Sequence, residues 1–209
     1  MAHAPLLVQN SPVIIGVDAG LNPTAVLTQQ AYDSRVLVLD ALTGATGGMG
    51  AVRFIRERLK PLLSNKYLGR LVTIVIDPAA FQRAQTDERS VADVFRGEGF
   101  AVKPAPTNAV SARISAGENI MTRMVDGKPA LLIDPACTEL IAALRSKYRY
   151  RMNTKGEVDD TPEKLHPWSD YADGFMYALL QHDNGATFGR AAGTGRRVIK
   201  PAPYRWAAA

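Results

Sequence analysis

The chain has 209 residues and a mass of 22.6 kDa, the size of one well-packed domain with short extensions. Apolar residues make up 46% and charged residues 22%, ordinary globular usage that excludes wholesale disorder, and no apolar run approaches the roughly 20 residues that span a bilayer. Lys plus Arg number 25 against 20 Asp plus Glu, a net charge of +5 that is compatible with a polyanionic partner, and the lone Cys137 excludes an internal disulfide and fits a reducing compartment.

Residues 1–12 read as a linker or N-terminal tail, without the basic-then-apolar pattern of a secretory signal. The β-branched run Val13-Ile14-Ile15-Gly16-Val17 predicts a strand buried on both faces, ending in Asp18. Residues 24–30 and 35–42 predict two more strands around a turn at Tyr32-Asp33-Ser34. A Gly-rich loop follows from Gly44 to Gly50; then Val52, Ile55, Leu59, Leu62 and Leu63 recur at helical spacing, with basic residues opposite. Leu71 to Ile76 is a second buried-type strand, ending in Asp77-Pro78. Helices are expected over 86–95, 109–125 and 137–144, with short extended pieces at 100–102 and 131–133. Tyr148 to Lys155 reads as a strand entering a turn at Gly156, and Ser169 caps a last helix to Gln181. From 184 to 209 the apolar period disappears among Gly, Ala, Arg and Pro, which predicts a flexible basic tail. The whole is an α/β domain over 13–183 with a mixed sheet flanked by helices.

Asp18 and Asp77 each end a buried strand. If the two strands are parallel neighbours, both carboxylates emerge where open α/β sheets bind ligands. Two adjacent carboxylates need a shared proton or a cation, and an all-oxygen set selects Mg²⁺ or Mn²⁺. Taken singly, each Asp is also a good turn residue. Asp170 and Asp173, three apart, share one face of the last helix. A helix N-terminus accounts for Asp170. Asp173 sits among Ala172, Phe175, Met176 and Leu179, and a carboxylate turned toward a core needs a partner.

Four stretches in order carry a resemblance: Ile15-Gly-Val-Asp18-Ala-Gly-Leu-Asn-Pro-Thr-Ala25, Ile76-Asp77-Pro-Ala, Leu132-Ile-Asp-Pro-Ala-Cys137, and His166-Pro-Trp-Ser-Asp-Tyr-Ala-Asp173-Gly-Phe-Met-Tyr-Ala178. Across about 13–182 the chain resembles the nuclease domain of the tailed-bacteriophage terminase large subunit, which has an RNase H-like fold. The resemblance implies metal-binding, catalytic roles for Asp18, Asp77 and Asp173. Many relatives have His where this chain has Asp170, which is taken here as a further metal ligand. It also implies two divalent cations, Mg²⁺ or Mn²⁺, and cleavage of double-stranded DNA during genome packaging in the cytoplasm of the infected bacterial host. The partners it implies are an N-terminal packaging ATPase domain of the same polypeptide, the portal and the small terminase subunit. No G-x-x-x-x-G-K-[ST] sequence is present here, so the Gly44–Gly50 run reads as a connecting loop and the chain as one domain of a longer protein.

Lys147, Arg149 and Arg151, interleaved with Tyr148 and Tyr150, could line a DNA groove, or form a strand whose Tyr residues face inward. His3, His166 and His182 are too scattered for zinc, and Cys137 reads as core filling. Two other readings remain at this point: another RNase H-like nuclease, such as a junction resolvase or RNase H proper, and a non-catalytic DNA-binding or motor-docking module.

Overall fold

A computed structural model describes residues 7–44, 47–83, 89–152 and 157–182. The basic tail expected over 184–209 and the turn at Gly156 lie outside the described residues. Six strands form one sheet. β1 (Val13–Asp18), β2 (Thr24–Gln30) and β3 (Val36–Thr43) make an antiparallel meander. β4 (Val72–Ile76) lies parallel to β1 on its other side, and β5 (Ala101–Pro104) lies parallel to β4. A short hairpin, β6 (Met124–Val125) and β7 (Lys128–Pro129), precedes β8 (Leu131–Ile133), which runs parallel to β3 at the far edge. The order β5-β4-β1-β2-β3-β8, with the meander at one side and the parallel strands at the other, is the RNase H-like arrangement.

Two helical layers cover this sheet. α1 (Ala51–Phe54) continues through a π-helical stretch, Ile55–Leu59, into α2 (Lys60–Lys66), and with α3 (Val91–Gly97) it covers one face. Val13, Ile15, Val17, Ile74 and Ile76 point into that core with Phe54, Ile55, Leu59 and Phe95. α4 (Val110–Thr122), α5 (Thr138–Ala142, extended to Lys147 by a π-helical turn) and α6 (Trp168–His182) cover the other face. Because strand side chains alternate, the residues between the first set point to α6: Ile14, Gly16 and Asp18 on β1, Val75 and then Asp77 on β4.

α6 touches β1 backbone to backbone. A Cβ on Gly16 would stand 2.0 Å from the Gly174 carbonyl oxygen and 2.5 Å from the Ala178 nitrogen, neither of which can yield without moving the helix. A Cβ on Gly174 is tight only against the Gly16 oxygen, at 3.2 Å, with the Thr24 oxygen and Val26 Cγ2 at an ordinary 3.6 Å. Gly16→Ala is therefore expected to destabilise by roughly 3 kcal/mol. Gly174→Ala should stay within about 1 kcal/mol of wild type, since better helix propensity offsets its mild crowding. Urea melts of the two variants check this, and equal losses would place the close approach elsewhere.

At the other end of α6, His182 Nε2 lies 2.8 Å from Thr28 Oγ1, whose own proton goes to the Ile14 carbonyl at 3.0 Å. The hydroxyl has one proton to give, so His182 donates from Nε2. Burial pushes this imidazole down to about 4 from an ordinary 6.5. Between those values the unfolded chain binds the extra proton. His182 therefore contributes stability above pH 6.5 that is lost as pH falls toward 4, roughly 3 kcal/mol at ~1.4 kcal/mol per unit. His182→Gln should remove this part of the pH dependence; thermal melts of both chains from pH 4 to 7 provide the measurement.

Several boundaries differ from expectation. Residues 7–12 are not a free linker: Gln29 takes the Val8 N–H at 3.0 Å and gives its amide to the Ser11 carbonyl at 2.6 Å. The helix expected over 86–95 starts at Val91, because Ser90 and Asp93 form a reciprocal capping box. The helix expected to reach 125 stops at Thr122, since Asp126 and Gly127 both take positive φ and turn the β6–β7 hairpin. The strand expected over 148–155 starts at Tyr150 as β9 (Tyr150–Met152), residues 153–155 lying outside the described residues, and it pairs with β10 (Val158–Pro162), a polar strand without an apolar pattern. Ser169 lies inside α6 rather than capping it, and its hydroxyl donates to Asp170 Oδ1 at 3.1 Å.

Candidate metal centre

The parallel register pairs Val17 with Ile76, so Asp18 and Asp77 leave neighbouring strands side by side, both on the α6 face. Asp170 and Asp173 reach the same edge from the first turns of α6. Burial first, then the charges of Asp173, Asp170 and Asp77, together push the Asp18 carboxyl up from 3.8 to about 6. The Lys164 charge opposes this shift and favours the carboxylate. The four acids thus share one electrostatic neighbourhood.

Asp77, Asp170 and Asp173 each also have a protein partner. Asp77 Oδ1 accepts the Ala79 N–H at 2.7 Å, and Oδ2 accepts the Tyr177 hydroxyl at 3.0 Å. Tyr177 Oη also lies 2.9 Å from the Asn108 side-chain amide. A phenol has one proton, and the carboxylate is the stronger acceptor, so Asn108 presents its NH₂ to Tyr177. Asp170 takes His166 Nδ1 at 2.7 and 2.8 Å. Asp173 is 3% exposed and sits between Lys164, which donates to Oδ2, and Arg113, whose Nη1 is 2.8 Å from Oδ1. The Arg113–Asp173 contact is a close, buried ion pair, and the Tyr148 side chain also reaches Asp173. The Arg113 guanidinium also stacks 4.9 Å from the Tyr177 ring centre, linking the partners of Asp173 and Asp77.

As placed, among the described residues, no three His, Cys, Asp or Glu side chains are grouped to hold one ion. The donor chemistry nonetheless fits a hard cation. All four acids offer oxygen, Asp18 is held against like charge, and Asp173 is almost fully buried. Asp18, Asp77 and Asp173, with Asp170 beside them, are the residues that would hold a divalent ion.

The chain aligns with the large terminase of a thermophilic bacteriophage at a TM-score of 0.61 and 16% identity, covering 85% of this chain and 42% of that one. Over the aligned region the chain shares its fold with the large terminase structures. A second crystal form of the same protein aligns at 0.60 and 15%, over 85% and 41%. The yeast mitochondrial Holliday junction resolvase Ydc2 aligns at 0.45 and 11%, over 87% and 86%. The chain thus spans about two fifths of the terminase chains it matches. No family model and no curated protein matches the sequence.

The remaining sequence candidates fall outside the cluster. Lys147 stacks 5.1 Å from the Trp168 ring centre, while Arg149 and Arg151 lie 3.9 and 3.4 Å from Glu163 on the β9–β10 side. All three are exposed. The basic run from Arg53 to Lys60 is partly neutralised: Arg53 pairs with Glu57, and Arg56 and Lys60 both pair with Glu98. Asp134, in the third resembling stretch, ends β8 three strands from β1 and accepts the Ala136 N–H at 2.9 Å. Cys137 is buried, with its thiol pushed up to about 12, so it is core filling and unreactive. Among the described residues no helix is long and apolar enough to cross a membrane. Arg113, Lys164, Tyr177 and Asn108 carried no sequence signal, because each is defined by a partner brought to it by the fold.

Proposed function

We propose that the chain is a divalent-metal-dependent endonuclease domain that cleaves double-stranded DNA during phage genome packaging, as part of a terminase large subunit. The observation that supports it most is that Asp18 and Asp77, from parallel neighbouring strands, share one electrostatic neighbourhood with Asp173 of the helix laid across them. The fold shared with the large terminase of the thermophilic phage supports the packaging role. Bound Mg²⁺ or Mn²⁺, two ions in the full reaction, would supply an activated water and neutralise charge on the scissile phosphate and the leaving 3′ oxygen.

The chain's own residues orient the ligands. Tyr177 fixes one oxygen of Asp77 and the Ala79 N–H the other, so that carboxylate cannot rotate freely. Arg113 holds Asp173 from beneath, and His166 holds Asp170. Such outer partners set ligand orientation and typically change metal affinity or activity by about 10–100-fold. Lys147, Arg149 and Arg151 would contact phosphates without reading sequence. An N-terminal packaging ATPase domain of the same polypeptide, the portal and the small terminase subunit complete the proposed assembly, which works in the cytoplasm of the infected host.

The test is cleavage of linear duplex, four-way junction and RNA–DNA hybrid in Mn²⁺ or Mg²⁺, with and without chelator. Preferential, chelator-sensitive cutting of duplex DNA is expected. Preference for the junction or the hybrid would move the chain to another RNase H-like activity. DNA binding without metal-dependent cutting would make it a binding module. Asp170→Asn should reduce cutting less than a change of Asp77, because Asp170 is already shared with His166.

A further inference from the structure

Resting on that reading, we infer that Leu21 is a positioning and specificity residue: it enters the minor groove beside the scissile phosphate and parts a base step, so that cutting favours steps that unstack easily. Leu21 sits on the β1–β2 loop, three residues after Asp18, and so within about 10 Å of it along the chain. Its side chain is 84% exposed. Among the described residues, Leu21, Tyr32, Leu68 and Leu71 are the large apolar side chains left at least 80% exposed. Leu21 alone of these lies at the edge of the acids. The other three lie on the β2–β3 turn and just before β4, at the opposite end of the sheet.

The loop holds Leu21 out in place. The Leu21 carbonyl accepts the Met49 N–H at 3.3 Å, and the Pro23 carbonyl accepts the Gly44 N–H at 2.9 Å, so the loop is tied twice to the segment after β3. A Cβ on Gly20 would stand 4.0 Å from Asp18 Oδ1, so the chain runs directly past that carboxylate on its way to Leu21. On the other flank, a Cβ on Gly48 would stand 3.7 Å from Leu21 Cγ, so Gly48 props the side chain with backbone alone. Gly47 has nothing within 4 Å of its Cβ position. The described residues beside Leu21 thus form low, uncharged ground on which a duplex can settle against the leucine.

A leucine has no charge with which to hold a phosphate, and its surface is matched by the faces of stacked bases. Leu, Ile, Phe and Met side chains inserted from the minor groove act as wedges that unstack a base step and kink the duplex. One side chain on a five-residue loop suits that groove, which is about 6 Å wide. The cost of the deformation depends on the step being opened, and the pyrimidine–purine steps TA and CA/TG yield most easily. Phosphate contacts then supply affinity, and Leu21 supplies the choice of step without any hydrogen bond to a base edge.

The experiment maps cut sites made by the full chain in a linear duplex of mixed sequence in Mn²⁺, comparing wild type, Leu21→Ala and Leu21→Met, each shown to be folded by its melting. Wild type should cut pyrimidine–purine steps at least about threefold more often than other steps. Leu21→Met, still an apolar wedge, should keep that pattern. Leu21→Ala should flatten it and lower kcat about tenfold, while the salt dependence of DNA binding keeps its wild-type slope, because no phosphate contact is lost. A two-base mismatch placed at a mapped site should bring Leu21→Ala to within about twofold of wild type, because the step is already open. An unchanged cut pattern in Leu21→Ala, or an equal loss on matched and mismatched duplex, overturns the role of Leu21 and leaves the nuclease reading standing. Absence of chelator-sensitive cutting by wild type overturns both.

Discussion

Asp18→Asn is expected to abolish metal-dependent cleavage and, at the same time, to raise the melting temperature of the metal-free protein at pH 8. The two effects have one cause. Asp18 is a half-buried carboxyl near Asp173, Asp170 and Asp77, which together with its partial burial raise it to about 6. An acid whose folded value lies above its unfolded value binds its proton more tightly in the folded state. Its ionisation therefore costs stability as pH rises from 3.8 to 6, and the cost persists above that. Two units correspond to roughly 2–3 kcal/mol, or about 5 °C for a chain of this length. Asn keeps the shape and removes the charge. The same charge is what a metal ion needs, so cutting should fall at least about a hundredfold, beyond the effect of most outer partners. Asp77→Asn and Asp173→Asn should lose cleavage similarly, without the same gain in stability, since each leaves a partner behind. Plasmid nicking in Mn²⁺ and thermal melts at pH 5 and pH 8 make the test. Wild-type cutting by Asp18→Asn or Asp77→Asn would sink the proposed mechanism, and a melting gain at pH 5 equal to that at pH 8 would sink the electrostatic account.

Arg113→Met should be the most destabilising single change at the site, by about 3 kcal/mol, even though methionine fits an apolar surrounding. Arg113 and Asp173 are each 4% exposed in their side chains. Removing one member of a buried pair leaves the other charge without compensation, at a cost of about 3–5 kcal/mol. Lys164 remains on Asp173 Oδ2, which places the loss at the lower end. Adding Asp173→Leu to Arg113→Met should restore part of the stability, because the stranded charge disappears. Urea denaturation of both singles and the double variant measures the coupling. A double variant no more stable than Arg113→Met alone would mean that packing against Tyr177, rather than charge, is what Arg113 contributes.

These effects trace back unevenly to the primary structure. The apolar runs Val13–Val17 and Leu71–Ile76 identified β1 and β4, and the acids at their ends followed directly. Strand alternation then put Asp18 on the face of Gly16, and Asp77 on the face of Val75, because side-chain parity does not change along an unbroken strand. The last helix was equally plain, and Asp173 with it, since an acid within an apolar helical stripe has few explanations. What reads poorly is everything set by weak local preference. The polar β10 strand and the Asp126-Gly127 hairpin are held by a few hydrogen bonds each, and an amphipathic pattern has nothing to register there.

Charge pairing was decided by the tertiary structure alone. Arg56 and Lys60 read as part of a basic surface, yet Glu98, 42 and 38 residues away, takes both. Tyr177 reaches Asp77 across 100 residues. Arg113 and Lys164 belong to the site because α4 and the segment before α6 are packed against Asp173, not because of any residue near them in the chain. Hydrophobic period and strand-end acids are local properties, repeated every two to four residues, so the sequence by itself determined the fold class and the candidate ligands. The partners that hold, neutralise or compete for those ligands act through a Coulomb term that depends on distance in space, and only the folded chain sets that distance.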